Sequence, residues 1–147
     1  MSLLKQIAED LIKAQKLKDE LVVSVLRMLN AAIKNAEISL RPKPLEEADM
    51  TSVISKEMKK LRDSLEDFKK AARQDLADKV EQEIKIIEKY LPEQMSREQV
   101  KEVVEKTIAE MQATAKDIGK VMGKLTKDLK GKAESSTIAQ MVKDLLK

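Results

Sequence analysis

The chain has 147 residues, enough for one domain of ordinary size or two small ones, with 37% charged residues, a net charge of +3 and a single Tyr and a single Phe. It contains no Cys and no His, which excludes disulfides, thiolate nucleophiles, imidazole bases and the usual zinc sites. The apolar load falls on Leu, Ile, Val, Ala and eight Met, the balance of a chain rich in amphipathic helices, so an all-α fold is expected.

Leu4, Ile7, Leu11 and Ala14 form a first stripe at helical spacing, starting near Ser2. A longer stripe, Val22, Val25, Leu26, Leu29, Ile33, Ala36 and Leu40, predicts a helix from about Asp19, a suitable cap, to Leu40. On the same helix Arg27, Asn30 and Lys34 make a polar row opposite the core stripe, a candidate second contact surface beside Met28. RPKPLEEAD (residues 41–49) interrupts the pattern, because Pro42 and Pro44 remove two backbone donors and push the residues before them into extended conformations. Ile54, Met58, Leu61, Leu65, Phe68 and Ala72 form the next stripe, with a cap expected near Asp49 or Thr51. Another runs through Leu76, Val80, Ile84 and Ile87.

Two chemical patterns in this half carry little. Ser2 and Lys5 match S-x-x-K without any supporting motif. Glu81, Glu83 and Glu88 alternate with Lys79, Lys85 and Lys89, as solvated helix faces do, so no metal site is read there.

Pro92 in YLPEQMS stops the helix and sets the expected boundary between an N-terminal helical domain, 1–91, and a small C-terminal one, 92–147. Ser96 with Gln99 is a capping-box pattern for a helix that turns Val100, Val103, Val104, Thr107, Ile108 and Met111 to one side. DIGKVMGKLTKDLKGKAE (residues 117–134) then holds all three glycines of the chain. At about 100° per residue, Ile118, Val121, Met122, Leu125 and Leu129 fall within an arc of about 100°, and Lys116, Lys120, Lys124, Lys127 and Lys130 lie on the other side. Gly131 is placed to end this helix in a left-handed conformation, and a last helix from about Ser135 buries Ile138, Met141, Val142, Leu145 and Leu146.

Residues 1–91 carry 18 basic and 17 acidic side chains, whereas 116–132 carry six lysines against two aspartates. That short stretch is the strongest candidate for binding. Its site residues are Lys116, Gly119, Lys120, Gly123, Lys124, Lys127, Lys130, Gly131 and Lys132. In one reading the glycines let a polyanion approach the helix backbone while lysines meet its phosphates. In the other, the lysines are the wet side of a hairpin and the glycines admit a neighbouring helix. A nucleotide-binding P-loop is excluded, since GKVMGKL has one residue too few between its glycines and Leu125 where a hydroxyl should stand. No apolar run approaches the roughly 18 residues that span a bilayer, and MSLLKQIAEDL has charges where a signal peptide needs an apolar core. A soluble cytoplasmic protein with no membrane contact is expected.

Three segments, VLRMLNAAIKNAEI (25–38), RDSLEDFKKAARQDLADKVEQEIKIIEKYLPEQ (62–94) and IGKVMGKLTKDLKGKAESSTIAQMVKDLL (118–146), together resemble the YqeY-like family. The C-terminal part of that family is similar to the tail domain of the B subunit of the glutamine-dependent tRNA amidotransferase (GatB). The resemblance implies an all-helical protein in two parts. It also implies tRNA contact, because the amidotransferase tail helps to hold tRNA while glutamate or aspartate charged on it is amidated with glutamine and ATP. By that likeness Gly119, Lys120, Gly123, Lys124, Lys130, Gly131 and Lys132 are the positions carried over. Ser135 and Ser136 depart from the family pattern of a glycine and a basic residue, and Lys132 stands where arginine is common, giving up a bidentate fork for a point charge. Nothing in the chain resembles a glutaminase or a carboxylate-activating site, so the carbon-nitrogen ligase chemistry is not expected to transfer, and no cofactor is implied. The reading is a tRNA-binding accessory protein, with tRNA as partner and an amidotransferase or aminoacyl-tRNA synthetase subunit as a further one. Its alternative is a helical protein–protein adaptor acting through the N-terminal domain.

Overall fold

The caps explain where most of the helices begin. A computed structural model describes residues 2–146, which form seven α-helices and no strand. They are α1 (Leu3–Lys16), α2 (Glu20–Leu40), α3 (Glu47–Lys70), α4 (Gln74–Glu88), α5 (Arg97–Met111), α6 (Ile118–Asp128) and α7 (Ser135–Leu145), with a 3-10 turn at Ala115–Asp117. The hydroxyl of Ser2 accepts a hydrogen bond from the Lys5 N–H at 3.2 Å, so the S-x-x-K pair is a helix cap. Asp19 accepts from the Val22 N–H at 3.2 Å in the same way. At α5 both halves of the capping box form: Ser96 Oγ accepts from Gln99 N–H at 3.2 Å, and Gln99 Oε1 from Ser96 N–H at 2.9 Å.

Four local expectations shift, one of them in α7, where Leu145 is exposed rather than buried with Ile138, Met141, Val142 and Leu146. Helix α3 starts earlier than Asp49, after Glu46, whose N–H donates to the Asp49 carboxylate at 3.0 Å; Asp49 is therefore the reaching residue inside the first turn. At the other end Ala72 leaves the stripe, standing exposed at φ 55° in the turn to α4. In α1 the stripe holds at Ile7, Leu11 and Ala14 and changes only at its first member, with Leu3 packed on the core and Leu4 left 42% exposed.

The chain divides into two compact units, Met1–Leu91 and Pro92–Lys147. In the first, α1 and α2 form one hairpin, α3 and α4 another, and α2 packs against the other three helices. Ile7, Leu26, Leu29, Ile33, Ile54 and Ile87 are each no more than 1% exposed, and burying such a side chain contributes roughly 1.5–3 kcal/mol. Met28 packs half-buried against this core rather than standing free. The polar row is also broken: Arg27 and Lys34 are exposed, but Asn30 lies at the edge of the core with its Oδ1 buried and unpartnered. At the end of the unit, the buried Tyr90 hydroxyl donates to Asp10 Oδ2 at 2.6 Å, and Lys89 Nζ reaches the same oxygen at 3.2 Å. The tyrosine hydrogen bond, then Lys89, hold the Asp10 carboxyl below its ordinary range. Burial, then Asp10, push the Tyr90 hydroxyl above its own.

In the second unit α7 packs on both α5 and α6, around Val100, Val104, Val121, Leu125, Ile138 and Val142. No helix among the described residues is long and apolar enough to cross a membrane.

Candidate nucleic-acid interface

Helix α6 is short and strongly two-faced because its apolar residues recur at three and four. Val121 and Leu125 are fully buried, Leu129 follows them into the core, and Ile118 and Met122 line its edge half-buried. The opposite side carries Gly119, Lys120, Gly123, Lys124 and Lys127, all exposed. A methyl group added at Gly119 or Gly123 would meet nothing within 4 Å. The glycines therefore do not admit a neighbouring helix; they leave one turn of backbone bare in open space.

The flanks extend this face. Lys116 is exposed in the 3-10 turn before α6, and Lys130 and Lys132 are exposed in the turn after it. Gly131 has φ 79°, the left-handed conformation expected of it, although the α6 cap is Leu129 and the glycine belongs to the next turn. There the Lys132 and Ala133 N–H groups both donate to the Leu129 carbonyl, at 2.9 and 3.3 Å.

The acidic residues nearby are partly occupied. Asp117 turns back to accept from the Thr114 N–H at 3.0 Å, and Glu134 accepts from the Ser136 hydroxyl at 3.4 Å. Glu110 of α5 approaches Lys124 at 4.0 Å. Among the described residues Lys124 is the one lysine of 116–132 with a carboxylate at ion-pairing distance.

Sequence reasoning read YLPEQ as a joint and missed its second role. The Gln94 side-chain amide donates to the Gly131 carbonyl at 2.7 Å and to the Pro92 carbonyl at 2.9 Å, and the Met95 N–H donates to the Lys132 carbonyl at 3.0 Å. These contacts join positions 37 residues apart, beyond the reach of any periodicity.

The fold and this face define a small all-helical protein of two units, one presenting a basic, glycine-bared helix. The family profile described as Yqey-like protein matches residues 4–146, and the chain belongs to that family. Similar curated proteins carry the name Altered inheritance of mitochondria protein 41, mitochondrial. The one from Lachancea thermotolerans is 41% identical over 83 residues, 56% of this chain and 44% of that protein. The one from Kluyveromyces lactis is 35% identical over 137 residues, 89% of this chain and 74% of that protein, and the one from Pyrenophora tritici-repentis is 25% identical over 146 residues, covering 97% and 80%. The matched stretch thus spans less than half the length of some of these relatives. Their names overturn the cytoplasmic expectation, since they are mitochondrial proteins. The physical reason is that a charged N-terminal stretch argues only against a secretory apolar core and carries no information on organellar import.

Proposed function

We propose that the chain is a non-catalytic accessory protein that binds tRNA through α6 and the turn after it. The observation that carries this reading is the open space in front of Gly119 and Gly123, bordered by lysines of which, among the described residues, Lys124 alone has a carboxylate at ion-pairing distance. A ribose–phosphate backbone can lie against bare helix there, while Lys116, Lys120, Lys124, Lys127, Lys130 and Lys132 neutralise its phosphates. No aromatic side chain belongs to this unit, so base stacking is not part of the grip and the contact is made to the backbone. The likeness of the C-terminal segment to the amidotransferase tail supports tRNA as the polyanion. The relatives' names support action in the mitochondrion.

The test is fluorescence anisotropy of labelled bulk tRNA across a salt series, with the intact protein and a Lys120→Glu/Lys124→Glu double variant. If three or four phosphates are neutralised, log affinity falls against log salt with a slope of roughly −2 to −4, and the double variant loses binding. Equal binding by both proteins, or none at low salt, would sink the proposal.

A further inference from the structure

The turn that carries Lys130 and Lys132 is held from outside by the segment that leads into α5. Both acceptors of the Gln94 amide are backbone carbonyls, of Gly131 and of Pro92, so its NH2 group must face them and both of its hydrogens are used. One residue on, the Met95 N–H takes the Lys132 carbonyl. Two successive carbonyls of the basic turn are thus fixed by two successive residues of one strap. With both carbonyls held on the strap, the peptide planes on either side of Lys132 have a set orientation, which fixes the direction of its Cα–Cβ bond, and Lys130 stands one residue before the held stretch.

We propose that Gln94 is a positioning residue, a latch that pre-organises the Gly131 turn so that Lys130 and Lys132 meet a phosphate backbone without first paying the entropy of ordering the loop. This rests on the tRNA reading for its purpose, but not for its existence. The latch residues 92–95 open the second unit, so the strap and the turn it holds belong to the same compact body.

The test uses the full-length chain and Gln94→Met, which keeps the side chain's length and charge but removes both donors. The first measurement is amide hydrogen exchange. Exchange at Met95, Lys132 and Ala133 should accelerate about ten-fold, the effect of removing a hydrogen bond of ordinary strength, while Val104 and Ile138 in the core remain protected. Unchanged exchange in the turn would overturn the latch whatever the protein binds. The second measurement is tRNA anisotropy across the same salt series. Weaker binding by about three- to ten-fold with an unchanged salt slope supports positioning, because no charge has been lost. Equal affinity from a loosened turn would overturn it. If the wild-type chain binds no tRNA, the functional reading fails by itself and the exchange result still decides the latch.

Discussion

The two units treat their charges differently. The first is nearly balanced and pairs ions across its helices, Lys69 with Glu81 at 3.6 Å and Lys89 with Asp10 at 3.2 Å. Among the described residues the second concentrates its pairs on α5, where Lys101 meets Glu105 and Lys106 meets Glu110, and gives the lysines of α6 one distant partner, Glu110 at 4.0 Å from Lys124. Exposed pairs of this kind contribute only about 0–1 kcal/mol each, so the difference concerns the outward field rather than stability. A balanced surface screens itself. An unbalanced one offers its field to an anion that the protein does not supply.

The comparison breaks first if the two units are one cooperative body. Leu125 is fully buried in the second unit, and Leu125→Ala should destabilise that unit by about 3 kcal/mol. Amide exchange is expected to rise at Val104 and Ile138 and to stay unchanged at Leu29 and Ile54; joint loss of protection would end the description as two units.

A smaller effect sharpens the account of the first unit. Tyr90→Phe removes the bond to Asp10 and should lower stability by about 1.5 kcal/mol at neutral pH. The Asp10 carboxyl titrates below its unfolded value, so its contribution is complete above the ordinary carboxylate range and is lost as pH falls through the folded pKa. With the main cause of that depression gone, the variant should lose less stability from this group between about pH 5 and pH 2. Denaturant titrations of both proteins over that range would show it, and parallel curves would assign the acid sensitivity elsewhere.

The smallest effect separates the two readings of α6 by its consequence for binding. Gly119→Ala and Gly123→Ala add a methyl group in open helix, so each should stabilise the protein by about 0.5–1 kcal/mol. Under the tRNA proposal the same changes should weaken binding a few-fold by lifting the backbone away from the helix. A stability gain without any loss of affinity would leave the glycines unexplained.

What could be read in the sequence was local. The stripes of α2 and α5, and the caps at Asp19 and Ser96, depend on residues within one turn of each other. Helix α3 was misplaced at its start because Glu46 is a poor advertisement for a cap and Asp49 a good one. The phase of α1 is legible at Ile7, Leu11 and Ala14, but its first member is not, since Leu3 and Leu4 stand side by side and only a packed neighbour chooses between them. Asn30 looked like surface because its residue type is usually found there. For α6 the periodicity gave the lysine side, but the emptiness in front of Gly119 and Gly123 is a fact about other helices being elsewhere. The Gln94 strap and the Asp10–Tyr90 bond join residues 37 and 80 positions apart, and neither leaves a mark on any short window.

The Asp10–Tyr90 bond also gives the molecule a built-in optical reporter. The chain has no Trp and one Tyr, whose hydroxyl rests on a carboxylate, an acceptor that drains the excited state of a phenol. Tyrosine emission should therefore be dim in the native state and brighten when α1 parts from the end of α4, while the second unit, with neither Trp nor Tyr, contributes nothing to it. A melt followed by tyrosine fluorescence would record the first unit alone, and its disagreement with a melt followed by helicity would be the signature of the second.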